Sequence, residues 1–196
     1  MQFDDFLMRG ASNGKAQFLG ESLLLTASGE TDWFHHPAGQ FQRGNVITAY
    51  REVHERVFTL STKVSVNFSS AFDGGVIFVQ VDDNNWAKLA FELSGAGNPT
   101  VVSVVTRGTS DDADGPSIEG GSVWLRIHCD GHSLAMHFSV DGVYWRFLRW
   151  LSIPGLEQRP LKVGFGVQAP TGSGCSAKFD SLGWSLEPIL DFRDGS

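Results

Sequence analysis

Cysteine is nearly missing from this chain: Cys129 and Cys175 are its only two. Two thiols cannot make a disulfide framework, nor can they alone build a structural zinc site. Charge is also sparse, at 19% Asp, Glu, Lys and Arg, and the net value is −7. Such a chain offers no basic surface for nucleic acid or for an anionic membrane. No apolar run approaches the ~20 residues that a membrane helix needs. The opening Met1-Gln2-Phe3-Asp4-Asp5 has neither a positive segment nor an apolar one after it, so no secretory signal is visible. The expected setting is therefore the reducing cytoplasm, with both thiols free. Phosphate-cradling glycine motifs opening a helix are lacking, as is a Gly-x-Ser-x-Gly elbow. No cofactor is expected.

What the chain does have is aromatic and aliphatic bulk, 41% hydrophobic with 12% aromatic, and 23 glycines among 196 residues. That excludes intrinsic disorder. The dominant periodicity is two. Val64, Val66 and Phe68 alternate with polar residues, as do Leu89, Phe91 and Leu93, then Val123, Leu125, Ile127 and Cys129, then Leu134, Met136 and Phe138. Alternation puts successive side chains on opposite faces of a sheet, one buried and one polar. Asp130-Gly131 and Asp141-Gly142 are hairpin signals, so 122–150 reads as a three-stranded meander. Ten to a dozen strands are expected, with one helical turn in 48–56 and loops at 107–121 and 169–176. The fold class is all-β, two antiparallel sheets in a sandwich, as one domain over 1–186 with a C-terminal tail at 187–196.

Chemistry-bearing residues sit on the non-core faces of these strands. Lys88 and Glu92 share a face of one strand, either as a structural ion pair or as a ligand-facing pair. Glu92 is the only mid-strand acid, and a retaining glycosidase would need a second carboxylate within about 5–10 Å of it. His128 and His137 lie on the polar faces of adjacent strands, and Asp111, Asp112 and Asp114 cluster nearby in sequence. Either group could hold a cation, but neither has the spacing of a metal motif. Trp33, Trp86, Trp124 and Trp145 are candidates for stacking on sugar rings, or else core filler.

In order along the chain, several segments resemble the DUF1349 family, also called the regulation-of-enolase-1-like family. They are Thr31-Asp32-Trp33-Phe34, Phe72-Asp73-Gly74-Gly75, Trp86-x-Lys88-x-x-x-Glu92, Ser103-Val104-Val105-Thr106, Trp124-Leu125-Arg126 and Ser139-x-Asp141-Gly142-x-x-Trp145. The resemblance spans roughly 28–184. It departs from the family pattern at Asp112, where an aromatic is usual, and at Cys129-Asp130, where a second Arg is usual. It implies a concanavalin A-like jelly roll whose concave sheet is lined by Asp32, Trp33, Lys88, Glu92, Thr106, Arg126 and Trp145. The expected function is a non-catalytic module binding a carbohydrate or similar polar small molecule, with Trp86, Trp124, His128 and His137 completing the site. The alternatives are a sugar-active enzyme using Glu92 and a regulatory domain that binds a metabolic enzyme.

Overall fold

The computed structural model describes residues 1–158 and 160–195. Its strands, in chain order, are β1 (Leu7–Arg9), β2 (Gly14–Leu19), β3 (Ser22–Ser28), β4 (Trp33–His35), β5 (Gln42–Gly44), β6 (Ile47–Val53), β7 (Phe58–Asn67) and β8 (Gly74–Gln80). There follow β9 (Asn85–Leu93), β10 (Pro99–Arg107), β11 (Thr109–Ser117), β12 (Ser122–Cys129), β13 (Leu134–Ser139), β14 (Arg146–Leu151), β15 (Leu161–Gln168) and β16 (Gly174–Ser185). Two seven-stranded antiparallel sheets result, β1-β6-β15-β8-β9-β10-β11 and β14-β13-β12-β7-β16-β3-β2. The meander expected at 122–150 is β12-β13-β14.

Alternation decides what the sheets bury between them. Ile77, Leu89, Phe91, Val101 and Phe165 of the first sheet meet Leu25, Leu60, Val64, Leu125, Met136 and Phe179 of the second in one apolar core. β8, β9 and β10 are buried on both faces, because the β4–β5 hairpin lies across the outside of the first sheet. There Trp33 packs against Phe78 and Trp86, at ring-centroid separations of 4.9 and 4.7 Å. Both cysteines are buried thiols outside any disulfide. Among the described residues no helix is long and apolar enough to cross a membrane.

Three expectations are corrected here. Residues 47–53 form β6 rather than a helical turn, since Ala49 and Val53 are needed inside while its backbone pairs on both sides with β1 and β15. The stretch expected as a loop at 107–121 contains β11, whose polar side chains carry no period-two signal; backbone pairing with β10 holds it. The 169–176 loop is likewise shortened by β16, which starts at Gly174 and pairs with β3.

The turn before β8 is organised by one carboxylate. Asp73 is fully buried, and its Oδ2 accepts from the Ser69 and Ser70 amides and from the Ser69 hydroxyl, each at 2.9 Å. Asp73→Ala would leave two amides unmatched beneath the loop that carries Phe72, while the Ser69 hydroxyl keeps the Gly174 carbonyl at 3.3 Å. We expect a loss of about 1–3 kcal/mol, seen as a lowered denaturant midpoint.

Candidate functional site

The eleven residues selected from sequence do not share one surface. Asp32, Trp33, Trp86, Lys88, Glu92 and Thr106 belong to the outside of the first sheet and the hairpin over it. Trp124, Arg126, His128, His137 and Trp145 belong to the outside of the second sheet, on the opposite side of the sandwich, with β12 and β13 paired there. Period two places both groups off the core, and both sheets have an outer face. The expectation that one concave sheet carries Arg126 and Trp145 together with Lys88 and Glu92 is therefore wrong.

Three of the first group, Asp32, Lys88 and Glu92, line a cavity of about 390 Å³ together with Asp112, Gln168, Phe34, Phe41 and Phe72. β9 presents Lys88 and Glu92 four residues apart on one face, 1% and 8% exposed. Among the described residues they do not form a direct ion pair, one of the two readings open to them. The Lys88 Nζ donates to the Trp33 carbonyl and to Gln168 Oε1, both at 2.7 Å. Gln168 Nε2 in turn donates to Glu92 Oε2 and to the Phe72 carbonyl, both at 3.1 Å. A buried amide thus relays between cation and carboxyl, fixed in orientation by both.

Burial governs the protonation of this relay. It raises the Glu92 carboxyl to about 8, against the pull of Lys88 and with help from Asp32, Asp114 and Asp112. Burial also lowers the Lys88 ammonium, opposed by Asp32, Glu92 and Asp112. The shift favours the protonated form of Glu92 at neutral pH, with Oε2 accepting from Gln168. The site thus sets Glu92 beside the half-buried Asp32 and the exposed Asp112.

Phe72 on the rim has a positive φ of 69°, in the left-handed region that a bulky side chain avoids. Its backbone holds it there: its amide donates to Leu93 at 2.7 Å and its carbonyl accepts from Gln168. Trp33 and Trp86 are buried beneath the cavity, where they pack against each other and offer no open indole face to a ligand. Thr106 is also buried and bonds Ser110, whose hydroxyl oxygen accepts from the His35 amide, so it anchors the hairpin instead of lining the cavity. Sequence reasoning missed Gln168, Phe72, Phe34, Phe41 and Arg43. Gln168 had a signal: it follows Val163, Phe165 and Val167 out of phase, on the face shared with Gly164 and Gly166.

On the second sheet, Trp124 and Trp145 are half-buried and Arg126, His128 and His137 are buried. The stretch 187–195, expected as a tail, folds back over them. Among the described residues no cluster of three or more His, Cys, Asp or Glu is placed to hold a metal ion. Strand alternation separates Asp111 from Asp112 and Asp114, which share the other face of β11. Asp111 pairs with Arg149 at 3.0 Å, Asp112 lines the cavity, and Asp114 stands opposite Val102. A larger concavity of about 640 Å³, between Phe3, Phe18 and Leu182, faces none of the buried charged side chains.

The family profile described as "Protein of unknown function (DUF1349)" matches residues 13–187. This chain belongs to the DUF1349 family. A yeast relative from Saccharomyces cerevisiae, Regulation of enolase protein 1, is 30% identical over 136 residues, which make up 68% of this chain and 65% of the relative. The match thus spans slightly under two thirds of that protein. A solved structure of a functionally unknown S. cerevisiae protein superimposes with a TM-score of 0.86 at 21% identity, over 96% of this chain and 100% of that one. The GH43 protein BlXynB of Bacillus licheniformis gives 0.73 at 16% identity, over 90% of this chain and 35% of that one. The metal-free lectin I-B4 of Griffonia simplicifolia gives 0.60 at 12% identity, over 93% of both chains. The DUF1349 chain thus has the concanavalin A-like jelly-roll sandwich, shared with lectins and with part of glycosidases.

Proposed function

We propose that this DUF1349 protein is a binding module that takes a carbohydrate, or a similarly hydroxylated small molecule, in the cavity over β9 and β10. The observation that carries this is the Lys88–Gln168–Glu92 relay, which opens between the aromatic walls of Phe34, Phe41 and Phe72. Sugars need apolar faces for their C–H surfaces and both donors and acceptors for their hydroxyls. Here Phe rings supply the first, the Glu92 proton the donor, and Asp32 and Asp112 the acceptors. The lectin-like and glycosidase-like folds of its structural neighbours support the same ligand class.

Calorimetric titration with a panel of mono- and oligosaccharides tests the proposal. Binding of at least one sugar is expected, weakened at least tenfold by Asp112→Ala, whose side chain supports none of the core. No binding across the panel would overturn it. A second reading, a sugar-active enzyme, draws on the protonated Glu92 sharing one cavity with Asp32 and Asp112. It calls for turnover of a bound sugar that Glu92→Gln abolishes, whereas a binding module retains its sugar in that variant.

A further inference from the structure

The outside of the second sheet holds a cation with no counter-charge. Arg126 is 8% exposed, and among the described residues no carboxylate pairs with it. Its Nη2 donates to the Gly195 carbonyl at 2.7 Å, and its guanidinium lies 4.4 Å from the Trp145 ring centroid. Among the described residues its Nε has no partner, and neither do His128 Nε2 and His137 Nδ1 beside it, on two side chains that are fully buried. Buried polar atoms without partners are unusual, and these three form one cluster on the shared face of β12 and β13.

The pattern of what is filled is specific. The Nε and Nη2 protons of arginine point the same way along one edge and together match the two oxygens of a carboxylate. The Gly195 carbonyl satisfies Nη2 and has no second oxygen for Nε. The covering stretch meets this face at further points, among them the Arg193 guanidinium 5.2 Å from the Phe147 ring centroid. The Phe192 carbonyl accepts from His137 Nε2 at 2.7 Å, and the Phe192 ring sits 5.3 Å from His128 and 5.2 Å from Trp150. Gly195 allows the close approach: a Cβ there would stand 2.6 Å from the Trp145 carbonyl.

We propose that this face is a second ligand site, in which the Nε/Nη2 edge of Arg126 takes a carboxylate, and that the stretch 187–195 is its tethered occupant. The site is independent of the sugar cavity, which lies across the sandwich. The carboxylate could belong to a small acid or to the end of a peptide, and the two are separable. Both are offered to the full chain and to Phe192→Ala, which loosens the occupant: D-glucuronate, and a peptide matching residues 190–195 with a free C-terminal carboxylate, with its C-terminal amide as control.

Calorimetry is expected to show binding of one or both carboxylates, at least fivefold tighter in Phe192→Ala. It should weaken at least tenfold in Arg126→Lys, which keeps the charge but loses the two-pronged edge, and stay unchanged in Asp112→Ala. Glucuronate binding identifies a small-acid site; peptide binding lost on amidation identifies a chain-end site. No binding to Phe192→Ala, equal binding of acid and amide peptides, or indifference to Arg126→Lys would each overturn the proposal.

Discussion

Phe165→Ala is expected to remove about 3–5 kcal/mol of unfolding free energy, the range for deleting a large buried aromatic. Phe165 lies on β15, in the interior of the first sheet, and is fully buried between the sheets. Its ring centroid is 5.2 Å from Phe3, 5.1 Å from Phe6 and 5.1 Å from Phe179, so it joins the second sheet to the N-terminal segment. Its neighbours cannot swing in to fill the void. Phe3, Phe6 and Phe179 around it are themselves buried in the close-packed core, and Gly164 and Gly166 face the other side of β15. Most of the cavity therefore persists and its cost is retained. Chemical denaturation should show a lowered midpoint with an unchanged slope. Phe18→Ala is the control: this Phe is 45% exposed and its loss should change stability by no more than about 0.5 kcal/mol. Equal effects of the two substitutions would refute the assigned role of Phe165.

How much of this could be read from the sequence differs from strand to strand. β7, β9, β12 and β13 were legible because each keeps apolar residues at every second position facing the shared core. β11 was not, because an edge strand with exposed Thr, Ser, Asp and Gly is defined by its hydrogen bonds to β10, which leave no trace in side-chain pattern. Asp-Gly marked real reversals at Gly131 and Gly142, both at positive φ, but Gly74 and Gly115 lie within strands. The site divided along the same line. The Trp86-x-Lys88-x-x-x-Glu92 spacing places two groups on one face of one strand, a local property. Whether Arg126 joins them depends on strand order across two sheets, and alternation only says that it avoids the core. Gln168, which connects Lys88 to Glu92, comes from a strand 80 residues from Lys88, so the relay exists only once β15 and β9 both flank β8.

The relay carries the second large effect. Lys88→Ala would leave the Trp33 carbonyl and Gln168 Oε1 without a donor, each at about 1–3 kcal/mol, and would also empty the volume of the buried stem. A total near 3–5 kcal/mol is expected, in the range for breaking a buried charged contact from one side. Lys88→Met restores the stem but not the proton donors, so its smaller loss separates packing from hydrogen bonding. Glu92→Gln acts the other way, and its sign follows from the direction of the shift. The carboxyl titrates near 4.5 when unfolded and about 8 when folded, so between those values the native chain binds the extra proton. Its contribution to stability therefore falls as pH rises from about 4.5 to about 8 and is constant outside that window. Gln keeps an acceptor for Gln168 Nε2 and cannot ionise. The stability difference between Glu92→Gln and the parent should thus grow in favour of the variant across this window and level off above pH 8. His137 is held down to about 4 by burial and by Arg126, so its own penalty appears as pH falls from 6.5 toward 4; it is common to both proteins and cancels in the difference. A difference that stays flat from pH 5 to 9 would show that Glu92 ionises freely and that the relay is not buried as described.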